Sequence, residues 1–313
     1  KIILTGSTGM IGTEVLTQSI NNPSLTEIIV LSRRALPPSH PTPPKVKIII
    51  TEDFLSYPAA VLRELAGAEA CIWYPIPFPA RTQAISTIMA NRIRALGGIP
   101  SRFSDLATAR KVNIDYAFVA AKAFAEIVSP QLGPGKKFRF LYVSGHAVDR
   151  DLSNQHHFFN DAIHIKVFSL LVNIPTVIST GLEADILNFG QGEIENKLVA
   201  LEAQNPEKIS IYLPRPGSVI PPNNKIVTVL VKLTTSFYPA MKAGFAAAMI
   251  DIAIKGADEQ ALSHDVMQER GRKVLSKGYD GGDCPRGVHL MMEKERVEGK
   301  MMRIWIAVAG LGV

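Results

Sequence analysis

An apolar run, Ile2-Ile3-Leu4, passes directly into Thr5-Gly6-Ser7-Thr8-Gly9-Met10-Ile11-Gly12, and an amphipathic segment over 13–20 follows. Strand, glycine turn and helix in that order is the context in which spaced glycines mean dinucleotide binding. Each glycine has a physical job. One makes a tight turn, one lets the backbone approach a pyrophosphate, and one lets helix and strand pack closely. The start of the helix then offers unpaired N–H groups and the positive end of its dipole to phosphate oxygens. Gly6, Ser7, Thr8, Gly9, Met10, Ile11 and Gly12 are therefore the first candidate cofactor residues.

The rest of the chain repeats the strand–helix alternation. Strands are expected over 27–31, 46–50, 70–73, 138–143 and 209–213, and helices over 61–65, 104–128, 192–202, 240–255 and 265–276. Ser104 is a suitable N-cap for the longest of these. β-Branched runs bounded by helical segments predict a parallel sheet covered on both faces, an α/β doubly wound arrangement. The chain of 313 residues, 47% hydrophobic and 20% charged, suits one such domain. The net charge of +6 comes without any basic block, which favours a protein with a small anionic ligand over a nucleic-acid binder. Two cysteines, Cys71 and Cys284, make no disulfide framework, so a reducing, cytoplasmic setting is expected. No signal peptide is expected ahead of a strand-like start, and the apolar run 304–313 falls short of the roughly 17–25 residues a bilayer span needs.

Two stretches break the rhythm. Residues 74–94 open Tyr74-Pro75-Ile76-Pro77-Phe78-Pro79, and residues 156–181 hold His156, His157 and His164. Both fall where a doubly wound fold has short connections. Joining Trp73 to Ala95 and Gln155 to Leu182 restores connections of ordinary length. The stretches are thus lids, late insertions or translated intervening sequence. The domain is expected over 1–277, with a tail over 278–313. The histidines with Asp161 match no zinc spacing, and no metal is expected. Cys284-Pro285-Arg286-Gly287 has no positioned base.

Ser32-Arg33-Arg34 follows the second strand, where this architecture meets the adenosine ribose. An acid there would bond the 2′-OH of NAD, whereas guanidinium accommodates the 2′-phosphate of NADP. NADP(H) is therefore expected over NAD(H). After the third strand, Asp53 is placed to accept from the adenine amino group or to cap the next helix, and Phe54 to lie beside the ring.

Gly6, Gly9 and Gly12, the Arg33-Arg34 pair, Asp53-Phe54, Leu141-Tyr142-Val143-Ser144 and Pro214-Arg215-Pro216-Gly217 together resemble the atypical short-chain dehydrogenase/reductases, in their NmrA-like and Tat-interacting-protein-like branch. The resemblance covers about 1–277. It implies a Rossmann-type fold that binds NADP(H) or NAD(H), with Pro216 and Gly217 added to the cofactor residues. It also implies a Ser, Tyr and Lys catalytic set. Ser144 matches the serine. Leu187 and Gln191 stand where the Tyr-x-x-x-Lys pair belongs, so the phenol that donates a proton and the ammonium that tunes it are missing. Tyr238 and Lys242 have the right spacing but follow the sixth strand, and Tyr142 belongs to a strand core. Two activities remain open: an oxidoreductase acting on a small organic carbonyl, enone or imine, and a non-catalytic cofactor sensor or partner-binding protein. A gene product without function is the third reading.

Overall fold

The computed structural model describes residues 1–74, 106–145, 148, 150, 181–216 and 242–277. Seven strands form one parallel sheet: β1 (Ile2–Thr5), β2 (Ile28–Ser32), β3 (Val46–Ile50), β4 (Ala70–Trp73), β5 (Phe138–Tyr142), β6 (Ile209–Pro214) and β7 (Ala261–Leu262). Their spatial order is β3-β2-β1-β4-β5-β6-β7. The order reverses between β1 and β4, where Ile3 pairs with both Ile29 and Cys71. In open α/β sheets that reversal leaves a crevice at the carboxyl ends of the strands.

The helices among the described residues are α1 (Met10–Asn21), α2 (Ala59–Leu65), α3 over 106–128, α4 (Gly181–Gln204), α5 (Lys242–Lys255) and α6 (His264–Lys277). They divide between the two faces of the sheet because successive strand residues point to opposite sides. Ile3, Cys71 and Trp73 join the core under α2, α3 and α4, with Ala120, Phe124 and Ile194. Ile2, Leu4 and Ile72 join the core under α1, α5 and α6, with Val15, Phe245 and Met267. The first core is aromatic: Trp73 meets Phe54 edge-on at 5.6 Å and stacks on Phe140 at 6.0 Å.

The sequence-based elements recur with shifted ends. The expected helix over 192–202 is the last part of α4, which starts at Gly181. The expected smooth helix over 104–128 alternates α turns (Leu106–Arg110, Tyr116–Ala123) with π turns (Lys111–Asp115, Phe124–Val128). β7 has only two residues and carried no periodic signal. Ser104, most of 74–94, all but the last residue of 156–181, Gly217, Tyr238 and the tail 278–313 lie outside the described residues. Tyr74, the first residue of the earlier irregular stretch, is buried in the α1-side core. Its backbone N–H donates to Thr5 Oγ1 at 3.0 Å, and its carbonyl accepts from the same hydroxyl at 3.1 Å. No helix among the described residues is long and apolar enough to cross a membrane.

Candidate functional site

β1 ends at Thr5 and the chain turns over the reversal point, so the three glycines meet different constraints. Gly6 has φ +66°, a left-handed conformation that side chains disfavour, and it sits against Tyr74. Gly9 caps α1 at φ −78°, ψ 163°, which any residue tolerates, and its N–H donates to Gly6 O at 2.9 Å. A Cβ on Gly12 would fall 2.1 Å from Gly6 O. So Gly6 makes the turn, Gly12 allows loop and helix to touch, and Gly9 is the residue kept small on the open side. The first turn of α1 carries no acid and no side-chain cap. Its leading N–H groups are thus available to an anion. Ser7 Oγ is buried and has no partner among the described residues.

Opposite this loop stands the end of β2. Gly6, Ser7 and Thr8 on one side and Arg33, Arg34 and Pro37 on the other line a cleft of about 270 Å³, which Leu31, Ser32 and Ala35 complete. Among the described residues no carboxylate lines it. Burial pulls the Arg33 guanidinium below its ordinary pKa; nearby Tyr116 opposes this and Arg34 adds to it. A phosphate would relieve that cost, since guanidinium and phosphate make bidentate bonds.

This is a Rossmann fold, set by the strand order and by a glycine loop at the point of reversal. The sequence matches no protein-family profile. Over 143 residues it is 32% identical to Leucinostatins biosynthesis cluster protein T of Purpureocillium lilacinum, which covers 46% of this chain and 42% of that protein. The chain thus spans less than half the length of this curated relative. Among solved structures it is similar to MoeE5 in complex with UDP-glucuronic acid and NAD, at 15% identity and a TM-score of 0.48, over 83% of this chain and 74% of that one. It is also similar to the NADPH-dependent 3-quinuclidinone reductase of Rhodotorula rubra, at 16% identity and a TM-score of 0.48, over 83% and 87% of the two chains.

Within the Rossmann frame the remaining expected residues separate. Asp53 caps no helix: its carboxylate accepts from the Leu55 N–H at 3.0 Å, and α2 begins later, behind Pro58. The Leu55 amide holds its pKa below the ordinary value against a small burial effect, and Lys111, 3.4 Å away, and Tyr116 add to the lowering. Lys111, on α3, reaches across 58 positions to this carboxylate. Phe54 is corrected. Its ring is fully buried between Trp73 and Tyr116, so it has no face to offer an adenine.

At the other half of the crevice, Ser144 follows β5. Its N–H donates to Pro214 O at 2.9 Å, and its Oγ is buried with no partner among the described residues. α4 crosses here and carries positions 187 and 191 one turn apart. Gln191 Oε1 lies 2.7 Å from where a Cβ on Gly145 would stand, so the residue in the lysine position does border the serine loop. Tyr142 is a core residue, as its strand position suggested. Its hydroxyl donates to Asn113 O at 3.3 Å, and burial, reinforced by the Glu195 carboxylate, pushes its pKa far up. The phenol therefore keeps its proton at neutral pH, and that proton is engaged with Asn113 O. Pro216 is buried behind β6.

One cluster escaped the sequence reading. Glu195 is fully buried and accepts from Arg150 Nε at 2.8 Å and from Arg215 through Nε at 3.0 Å and Nη2. It ties the segment after β5, helix α4 and the turn after β6 together. The Pro214-Arg215-Pro216-Gly217 turn was visible in the sequence, but its pairing with Glu195 was not.

Proposed function

We propose that this chain is an atypical short-chain dehydrogenase/reductase that binds NADP(H) in preference to NAD(H) and acts on a small organic carbonyl, enone or imine. The observation that carries this reading is the cleft with a glycine loop on one side and Arg33-Arg34 on the other, with no carboxylate among the described residues that line it. The uncapped first turn of α1 would hold the pyrophosphate, and the two guanidiniums the 2′-phosphate. The bound nicotinamide supplies or takes up a hydride. Ser144 Oγ, a buried hydroxyl with no protein partner among the described residues, would donate to the substrate oxygen. Water or a residue outside the family set would supply the proton, because Leu187 has none, Gln191 is uncharged, and Tyr142 is committed to Asn113.

Replacing Arg33 and Arg34 together with Ala tests the cofactor preference. Charge-assisted bonds are worth about 1.5–3 kcal/mol each, so NADPH should bind roughly 100-fold or more weakly while NADH changes little. Equal losses by fluorescence titration would assign the arginines to the pyrophosphate or to folding.

The Leu187 and Gln191 identities favour a second reading, a cofactor-binding protein without turnover. General acid catalysis typically contributes about 10²–10⁴-fold, so the native chain should oxidise NADPH slowly against any carbonyl panel. The double change Leu187→Tyr and Gln191→Lys should raise turnover. Robust turnover by the unmodified chain sinks the prediction. NADPH-dependent thermal stabilisation without turnover selects the sensor, and no stabilisation selects a product without function.

A further inference from the structure

The proline-rich segment after Arg33-Arg34 is tied back onto the glycine loop through one histidine. Pro37 lines the cleft, and three residues later the His40 N–H donates to Pro37 O at 2.9 Å, closing a turn. The His40 ring then reaches the first turn of α1, where Nε2 lies 3.2 Å from Thr13 Oγ1. Thr13 Oγ1 in turn donates to Ser7 O at 2.9 Å. Thr13 also donates its backbone N–H to Gly9 O at 2.8 Å. The two walls of the cleft are thus joined by a chain of side-chain bonds: Pro37 turn, His40, Thr13, Ser7.

The protons can be counted. A threonine hydroxyl has one, and it goes to Ser7 O. His40 Nε2 must therefore be the donor in its bond to Thr13. Nδ1 is left buried with no partner among the described residues. The bond to Thr13 is what holds the ring there.

We infer that His40 is a positioning residue for NADP(H). Its Nε2–H, through Thr13, fixes the distance between the glycine loop and the Arg33-Arg34 wall, and so holds the 2′-phosphate mouth open at its working width. This rests on the cofactor reading above. Prolines at 38, 41, 43 and 44 stiffen the strap, so the His40–Thr13 contact sets its position as a unit. Preorganising a binding wall raises affinity by lowering the ordering cost on binding. The benefit falls on the group that touches both walls, which is the phosphorylated ribose.

The test measures NADPH and NADH affinities of the full chain by fluorescence titration, with far-UV circular dichroism and melting without ligand as fold controls. His40→Ala should weaken NADPH about tenfold, roughly one ordered hydrogen bond, and NADH about twofold or less. His40→Gln, whose amide can donate from nearly the same point, should recover most of the NADPH affinity. Thr13→Val should match His40→Ala, and combining the two should add little further loss. The inference is overturned if His40→Ala leaves the NADPH-to-NADH ratio unchanged, if both cofactors weaken equally, or if His40→Gln fails to recover. A native chain that binds neither dinucleotide overturns the functional reading itself, a result distinct from all of these.

Discussion

Gly9→Val is expected to fold normally and to bind NADPH at least about 100-fold more weakly, whereas Gly12→Ala is expected to lose the fold around the loop. The backbone at Gly9, φ −78° and ψ 163°, suits an L-residue, and a Cβ there would meet only Gly6 O, at 3.2 Å. That contact is tight, so the Gly6 carbonyl must give by a few tenths of an ångström, a far smaller demand than at Gly12. The extra side chain stands in front of the uncapped amides of α1, where a phosphate would form at least two charge-assisted bonds of about 1.5 kcal/mol or more each. At Gly12 the same added carbon lies 2.1 Å from Gly6 O and 2.7 Å from Gly6 C. Backbone atoms on both sides cannot yield without parting the loop from the helix. Circular dichroism, melting and NADPH titration of the two variants read these outcomes separately. A Gly9→Val protein that is folded and binds NADPH normally would remove the phosphate-loop assignment.

Glu195→Ala is expected to cost about 3–5 kcal/mol of stability, the range for breaking a buried ion pair from one side. The carboxylate has no exposure and serves two guanidiniums, Arg150 and Arg215, which keep 33% and 21% of their side-chain exposure. Those exposures put the effect at the lower end of the range, because water can reach part of each orphaned cation. Glu195→Gln keeps the shape but removes the charge that both arginines share, so it should recover only a minor part. Urea denaturation should show lower midpoints with unchanged slopes. A Glu195→Ala protein within about 0.5 kcal/mol of native would mean that the triad is a surface-grade contact.

Local order was readable because its causes are local. Ile2-Ile3-Leu4 and 27–31 read as strands because parallel strands buried on both faces need unbroken apolar runs. The glycine spacing announced the loop because the left-handed turn at Gly6 and the contact at Gly12 each exclude a Cβ within a few residues of sequence. Arg33-Arg34 could be assigned to the cleft because the end of the second strand has a set place in a doubly wound sheet.

Contacts between distant segments were not readable, since nothing in a run of residues says which other run will lie against it. Phe54 looked like a ligand residue from its neighbour Asp53, yet Trp73 and Tyr116 enclose it. Asp53 read as an adenine acceptor or a helix cap, and the ion pair with Lys111 on α3 was not visible. β7 is a strand only because β6 lies beside it. Alternation along the chain therefore told of the sheet, the glycine loop and the place of the arginines. Burial in three dimensions decided the Glu195 triad, the His40–Thr13 strap and the enclosure of the Ser144 hydroxyl, because desolvation and hydrogen-bond pairing depend on everything packed around a group and only secondarily on its neighbours in sequence.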